Sequence, residues 1–334
     1  MSDELKRYEA THASMGTKFT VAAYGGDVRL LEATVEQVFE EIDRLHEQMT
    51  RYQPGSELSF INREAATSPV RVEPGLFALI EKSLRHSEDM GGAFDITVGP
   101  LMEAWGFFRG QGRVPTQEEL QSVLKCIGYQ RVKLDPSSRT IHFDLSGIEL
   151  DLGGIAKGYA VDRAVSILSE NGITAALVSS GMSSIYALGA PPGEEGWKII
   201  LRDPFDSTVP ADVVYLKNFA MSTSGNYNQF FKLGGKTYSH IMDPRTGMPV
   251  ENMLSTAVFL ASATDSEPLS KLYVLGVDAS RQYLATHANI QALFYLPAGP
   301  EKQFKRVLIQ SASYSLPPDS LVKFTGDLAG SHIA

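Results

Sequence analysis

The spacing of apolar residues divides the chain into alternating helices and strands. Six apolar residues recur at intervals of three and four, the period of an amphipathic helix: Leu31, Val35, Val38, Ile42, Leu45 and Met49. Apolar runs bounded by turn residues predict strands over residues 18–24, 175–179, 184–188, 197–201, 255–262, 292–296 and 306–310. Further helices are predicted over residues 74–90, 112–128 and 264–276. This interleaving is typical of an α+β protein.

The stretch from residue 148 to residue 172 is the most informative part of the pattern. Residues 148–151 predict a buried strand that ends in an acid, Gly153 and Gly154 predict a tight turn, and a helix then runs to the stop signal Asn171-Gly172. A strand that turns on glycines into a helix exposes backbone N–H groups and the positive end of the helix dipole. This arrangement suits a phosphate-bearing ligand.

Two interpretations of this turn are open. Gly153 and Gly154 could serve only to let the helix and the strand pack closely. Asp151, Lys157 and Asp162, however, place charges at the turn and along the first two turns of the helix, where an apolar joint needs none. The charges favour a binding site.

Length and composition describe an ordinary globular protein. The chain has 334 residues, of which 43% are hydrophobic, enough for a substantial core. Its net charge of -9 argues against a nucleic-acid or anionic-membrane surface, because phosphate groups are bound by clustered Lys and Arg. The single cysteine, Cys126, excludes an internal disulfide and a cysteine-built metal site.

Several common signatures are missing from the sequence. No apolar run approaches the roughly 20 residues of a membrane span. The first residues contain neither the apolar core of a signal peptide nor a cysteine that could be lipidated, so we expect a cytoplasmic protein unless a leader has been removed. There is no P-loop, no strand-linked Gly-x-Gly-x-x-Gly and no Gly-x-Ser-x-Gly elbow, which argues against nucleotide folds of those kinds and against a hydrolase triad.

Five segments in a fixed order resemble the motifs of one known family. Residues 151–162, Asp-Leu-Gly-Gly-Ile-Ala-Lys-Gly-Tyr-Ala-Val-Asp, resemble the central motif of the ApbE family of FAD:protein FMN transferases. Residues 15–17, 91–100, 221–227 and 240–247 resemble its other motifs, so the resemblance covers roughly residues 10–280. Members of this family split the pyrophosphate of FAD and attach the FMN half to a Thr or Ser of a target protein. Many of them are exported and lipid-anchored.

The resemblance implies particular roles for residues in these motifs. The implied cofactor-binding residues are Met15, Tyr52, Ala93, Phe94, Asp95, Asp151, Lys157 and Ile241. His240 is the candidate general base, because an imidazole pKa near 6.5 suits proton removal from a hydroxyl. Asp243 is near enough in sequence to orient this histidine.

The resemblance also implies a Mg²⁺ site, and here the sequence departs from the family. The ion is expected to be held by a backbone carbonyl in the central turn, which falls on Gly154, and by an Asp and a Thr four residues apart on a late helix. Those two positions fall on Ser266 and Ser270, so the carboxylate is lost and the site should be weakened. Asp265 or Glu267 could replace it only by a shift at the start of the helix, since helical neighbours point about 100° apart.

We therefore expect an α+β fold of mixed sheets with interleaved helices, in a single domain over residues 1–334 with FAD in a central cleft between two lobes. The expected function is Mg²⁺-dependent transfer of FMN from FAD to a Thr or Ser hydroxyl of an acceptor protein, with release of AMP. Two alternatives are open: a FAD pyrophosphatase that passes FMN to water, and a FAD-binding homologue with impaired catalysis. The expected partners are FAD and the acceptor protein.

Overall fold

The computed structural model describes residues 5–107, 112–226, 230–299 and 302–325. Within these ranges the helices are α1 Val28–Met49, α2 Glu57–Glu64, α3 Pro74–Asp89, α4 Gly99–Ala104, α5 Gln117–Leu124, α6 Ala156–Glu170, α7 Ala263–Leu269 and α8 Leu272–Thr286. None of them combines the length and the apolar character that a membrane crossing requires. The last residue of the predicted motif at 221–227, Tyr227, lies outside the described ranges.

The strands in the same ranges are mostly short. They are β1 Lys6–Ser14, β2 Thr17–Gly25, β3 Val70–Arg71, β4 Val132–Asp135, β5 Thr140–Phe143, β6 Ala175–Ser180, β7 Ser184–Leu188, β8 Trp197–Arg202, β9 Pro210–Lys217, β10 Phe219–Gly225, β11 Phe230–Leu233, β12 Lys236–Ser239, β13 Met242–Asp243, β14 Met248–Pro249, β15 Ser255–Leu260, β16 Gln291–Pro297, β17 Phe304–Gln310 and β18 Leu321–Thr325. The mixture of helices and sheets confirms the predicted α+β class.

The chain divides into two compact units, each assembled from distant segments. The first unit comprises Met1–His46, Ile155–Gly225 and Asn252–Ala334, and the second comprises Glu47–Gly154 and Asn226–Glu251. No composition break marks these boundaries in the sequence, because both units draw on similar apolar and polar patterns.

An antiparallel sheet of eight strands forms the frame of the first unit. Its order is β1-β2-β6-β7-β10-β15-β16-β17, so β10 lies in the interior of the sheet between β7 and β15. A smaller sheet, β18-β9-β8, shares an apolar cluster with it that includes Trp197, Leu216, Phe219 and Phe259. The residues of β10 are consequently almost all buried.

The second unit is built from helices α2 to α5 and small sheets β3-β5-β4, β11-β12 and β13-β14. Trp105 is fully buried and donates its indole N–H to the carbonyl of Gly247 over 2.9 Å. Together with Leu101, Ile127 and Met242 it forms an apolar cluster. This cluster ties the segment around β13 to the helices that precede it by more than a hundred residues.

The stretch before the Gly-Gly turn is extended, but the prediction of a sheet strand there is wrong. Residues 148–152 belong to no sheet. The side-chain amide of Asn62 instead donates to the carbonyl of Leu150 and accepts from its N–H, and Asp151 donates its N–H to the carbonyl of Ile96. A side chain from α2 thus supplies the hydrogen bonds that a neighbouring strand would have supplied.

The central helix agrees with the prediction, whereas the late helix differs from it. Helix α6 runs to the predicted stop at Asn171, which caps it. The late helix, predicted as one helix over residues 264–276, begins at Ala263 with Ser262 as its cap and is broken after Leu269, so that α8 begins as a separate helix at Leu272.

Helices α6 and α7 approach each other closely at Gly158. A Cβ atom at this position would lie 2.2 Å from the carbonyl oxygen of Ala263, which is far inside van der Waals contact. Only glycine therefore allows the backbone of α6 to touch the first residue of α7. The close contact explains a glycine inside a helix, where it costs stability by itself.

Each of these two helices provides a carboxylate that binds the beginning of the other. Asp162 of α6 accepts hydrogen bonds from the N–H groups of Ala263 and Thr264 and from the hydroxyls of Ser262 and Thr264, at 2.6–2.9 Å. In return, Glu267 of α7 accepts from the N–H of Gly158 at 2.6 Å. One N–H at the start of α6 and two at the start of α7 are thereby bonded to an anion at the positive end of the helix dipole.

The first prediction concerns the close approach. Gly158→Ala should lower the free energy of unfolding by about 1–3 kcal/mol, because the methyl group meets a backbone carbonyl that cannot rotate away. Gly55→Ala is the matched control, since nothing lies within 4 Å of its added Cβ. Urea unfolding of the two variants measures the difference, and equal stability would show that α6 and α7 are not in contact at this point.

The second prediction concerns the shared caps. Asp162→Ala should leave the first N–H groups of α7 without their acceptor and destabilise the protein by about 1–3 kcal/mol. Amide hydrogen exchange at Ala263 and Thr264 should accelerate in this variant, but not in a control, Asp278→Asn, at an exposed aspartate on α8. Unchanged exchange at both amides would contradict the assigned role of Asp162.

Candidate functional site

The implied flavin contacts at residues 93–95 form a buried loop after α3. Ala93 and Phe94 are 2% and 5% exposed. The carboxylate of Asp95 accepts three hydrogen bonds, from the N–H and hydroxyl of Thr97 and from the N–H of Tyr129, at 2.7–2.8 Å. Burial raises the pKa of Asp95 despite these bonds, which lower it. Asp95 thus fixes the shape of the loop with both of its oxygens.

The Gly153-Gly154 turn is shaped by Asp151 and lies against Phe94. The Oδ1 atom of Asp151 accepts from the N–H of Gly153 at 2.7 Å. A Cβ at Gly154 would lie 3.0 Å from the ring of Phe94. The N–H of the first glycine is therefore fixed by the aspartate, and the ring of Phe94 leaves little room for a side chain at the second.

Arg51 lies beside the residues that precede the Gly153-Gly154 turn, and the sequence analysis missed it. Its guanidinium is largely buried, pairs with Glu149 and lies 3.6 Å from Asp151. A Cβ at Gly99 would come within 2.2 Å of Arg51 Nη1, so the glycine leaves the space that the guanidinium fills. The neighbouring Tyr52 is 65% exposed and its ring is accessible to a ligand. The two acids Glu149 and Asp151 were the feature of the sequence that could have indicated a buried arginine.

His240 and Ile241 follow the β11-β12 hairpin. His240 lies edge-on to Phe107, with ring centroids 6.5 Å apart. Ile241 is buried, donates its N–H to the hydroxyl of Ser239 and accepts the N–H of Val250. The carboxylate of Asp243, expected to orient the histidine, binds the guanidinium of Arg245 through both oxygens, at 2.8 and 2.9 Å.

In the first unit, Met15 occupies the tight turn between β1 and β2. Its φ of 49° and that of Gly16, 70°, place both residues in the left-handed region. Residues 13–18 of this turn, with Asp43 and His46 of α1, line an open depression of about 480 Å³. The turn therefore presents Met15 beside a concave surface.

Lys157 takes part in the cap at the start of α6. Its ammonium lies 2.7 Å from Glu267 Oε1, while Oε2 of the same glutamate accepts the N–H of Gly158. One N–H at the start of α6, that of Gly158, is therefore bonded to Glu267 and is not free for a phosphate. Glu267 is 3% exposed and has both oxygens engaged, so it is not poised to replace the lost aspartate.

Ser266 and Ser270, at the positions implied for Mg²⁺, face two serines of β10. Ser222 Oγ lies 2.7 Å from Ser266 Oγ, and Ser224 Oγ lies 2.7 Å from Ser270 Oγ. Two residues along a strand advance by about 6.6 Å and four along a helix by about 6 Å, so the two spacings match. We call these four residues the hydroxyl ladder. All of them are buried.

Lys271 adds a cation to one end of the hydroxyl ladder. Its Nζ donates to Ser224 Oγ at 2.9 Å and to Ser270 Oγ at 3.2 Å. Desolvation lowers the pKa of Lys271 to about 8, with Glu267 acting in the opposite direction and Lys157 adding to the lowering. Neither Ser222 nor Ser224 was singled out from the sequence, although their alternation on β10 and the i,i+4 spacing of Ser266 and Ser270 are both visible there.

This donor set suits Mg²⁺ poorly. Magnesium is normally bound through carboxylates and phosphate oxygens, whereas the ladder offers neutral hydroxyls beside an ammonium group. Across the ranges that the structure describes, no cluster of three or more His, Cys, Asp or Glu side chains could hold a metal ion. The hydroxyls of Ser266 and Ser270 are therefore a poor fit to the Mg²⁺ that the resemblance implied at these positions.

Comparison with known proteins agrees with the motif order. The sequence model of the ApbE family matches residues 15–294. A FAD:protein FMN transferase of Treponema pallidum is 30% identical over 310 residues, 88% of this chain and 85% of that protein. One of Klebsiella pneumoniae is 31% identical over 88% of this chain and 90% of its own length.

Solved structures agree over almost the whole fold. The ApbE protein of Thermotoga maritima superposes with a TM-score of 0.81 at 29% identity and covers 92% of this chain and 97% of its own. The flavin transferase ApbE of Vibrio cholerae does so with a TM-score of 0.79 at 27% identity, covering 93% and 99%. From its sequence and its fold, the chain belongs to the ApbE family.

Proposed function

We propose that this chain transfers FMN from FAD to a Thr or Ser hydroxyl of an acceptor protein. The observation that carries this proposal is its alignment with FAD:protein FMN transferases over more than four fifths of both chains. The buried loop at residues 93–95, the Asp151 turn and the His240 segment support it, because each is an ordered feature at a position implied by the resemblance.

The proposed reaction is a phosphoryl-type substitution. The acceptor hydroxyl attacks the phosphorus on the FMN side of FAD, a new phosphoester bond forms, and the anhydride bond to AMP breaks. The hydroxyl proton passes to His240 as general base, and AMP leaves with the bridging oxygen. Catalysis of this kind depends mainly on positioning and on charge stabilisation.

We assign the binding roles as follows. The flavin contacts are Met15, Tyr52, Ala93 and Phe94. Asp95 acts by holding the loop that carries Ala93 and Phe94. Ile241 supports the position of His240. Asp151 shapes the Gly-Gly turn on which the pyrophosphate rests, and Lys157 contributes charge at the start of α6.

The residues at the implied metal positions give little support to the Mg²⁺ dependence expected from the family. Gly154 offers only a backbone carbonyl, and Ser266 and Ser270 are bonded to Ser222 and Ser224. Magnesium would supply charge stabilisation for the leaving group if it bound. We assign no step of the reaction to a metal.

The first test of the proposed function is incubation of the protein with FAD, with and without a candidate acceptor domain. We expect AMP release and covalent flavin fluorescence on the acceptor in equal amounts, and neither on an acceptor whose Thr and Ser are replaced. AMP with free FMN would instead indicate a pyrophosphatase. Absence of fluorescence quenching at roughly 100 µM FAD, within the usual KM range of enzymes, would refute flavin binding altogether.

The second test concerns Asp151. Asp151→Asn should weaken FAD binding by about 1–3 kcal/mol, because the turn loses the charged acceptor that holds the N–H of Gly153. The matched control is Asp144→Asn, which removes only an exposed pair with Lys133. Isothermal titration with FAD measures both variants. Unchanged affinity combined with a lower melting temperature would assign Asp151 a purely structural role.

A further inference from the structure

The side chains at the position implied for the metal ion do not carry the negative charge that a cation site requires. Ser266 replaces a carboxylate with a neutral hydroxyl that is 0% exposed and bonded to Ser222. Lys271 brings a positive charge within 3.2 Å of Ser270. Glu267, the carboxylate of α7 that acts on the charge of Lys271, is paired with Lys157. The hydroxyl ladder and these side chains therefore carry a net positive charge, whereas a cation site requires a negative one.

The hydrogen bonds of Ser270 leave no lone pair for a metal ion. Its hydroxyl donates to the carbonyl of Glu267 at 2.6 Å, so in the bond with Ser224 it is Ser224 that donates. Ser270 Oγ also accepts from Lys271. A hydroxyl has one proton and two lone pairs, and all three are used. Coordination of a metal would require the loss of one of these bonds.

The ammonium group also excludes a dication electrostatically. A Mg²⁺ ion at its usual 2.1 Å or so from Ser270 Oγ would lie no farther than about 5.3 Å from Lys271 Nζ. Like charges at such a distance in a buried setting repel strongly. The ammonium of Lys271 and a divalent ion therefore cannot occupy this site together.

One N–H of the ammonium remains for a ligand. A lysine ammonium has three N–H donors, and Ser224 and Ser270 accept two of them. Within the described residues no other hydrogen bond of Lys271 is found, and residue 271 as a whole is only partly buried. A phosphoryl oxygen is the acceptor that a point charge of this kind binds best.

We propose that Lys271 is the resident cation of this site: its ammonium takes the place of the divalent metal and binds a phosphoryl oxygen of the dinucleotide directly. This inference rests on the proposed function for the identity of the ligand. The inference that no divalent metal ion is bound here rests only on the contacts of Ser270 and Lys271, and it does not depend on the proposed function.

The decisive comparison is FAD binding by wild type in EDTA and in Mg²⁺, followed by quenching of flavin fluorescence. Because the cation is built into the protein, the two affinities should agree within about twofold. An affinity at least tenfold tighter in Mg²⁺ would overturn the proposal.

Variants of Lys271 test the charge itself. Lys271→Met keeps the length of the side chain and should weaken FAD binding in EDTA about tenfold or more, as expected for loss of a charge-assisted hydrogen bond. Lys271→Arg keeps the charge and should bind closer to wild type. Lys198→Met, at an exposed lysine on β8, is the control and should leave the affinity unchanged. Equal affinity of Lys271→Met and wild type would refute the role of Lys271.

Titration of FAD-free protein with Mn²⁺, followed by electron paramagnetic resonance, tests the metal without any flavin. We expect no micromolar Mn²⁺ site that depends on Ser270. Such a site, present in wild type and lost in Ser270→Ala, would overturn the inference. If wild type binds no FAD in either buffer, the proposed function fails, and the Mn²⁺ titration still decides whether a divalent ion occupies this position.

Discussion

The mutual capping of α6 and α7 is the constraint on which the hydroxyl ladder and its surroundings in the first unit depend. Two carboxylates, Asp162 and Glu267, each bind the N-terminal donors of the helix that does not carry them. Gly158 lets the two backbones touch. Because each cap fixes the start of one helix relative to a side chain of the other, neither helix can rotate or slide alone. The charged residues of the central motif are thus used largely to hold helices together.

The register of α7 then determines the hydroxyl ladder. With the start of α7 fixed at Ser262, the residues that face β10 are Ser266 and Ser270, one helical turn apart. Their partners on β10 are two residues apart, so both rungs close with normal hydrogen-bond lengths. A shift of α7 by one residue would turn these hydroxyls away from the sheet by about 100°. It would also take Glu267 away from Lys157 and Gly158.

The sequence predicted what depends on local periodicity and missed what depends on distant partners. Helix α1 and most strands of the large sheet follow from apolar spacing over a few residues. The charge of Asp162 was counted in favour of a binding site, because the residues that it caps lie 100 residues later in the chain. Asn62 takes the place of a strand beside Leu150 across 88 residues. The late helix was predicted as continuous because Pro268 and Ser270 do not interrupt its apolar pattern, although the helix breaks there.

The break between α7 and α8 is what brings Lys271 to the hydroxyl ladder. On an unbroken helix, Lys271 would point about 100° away from Ser270 and could not share its partner. Ser270 instead caps the end of α7 and Lys271 precedes the first residue of α8, so the lysine lies at the junction between the two helices. From this junction its long side chain reaches Ser224, the same hydroxyl that Ser270 contacts. The hydroxyl ladder therefore ends in an ammonium group, and none of its own four members carries a negative charge.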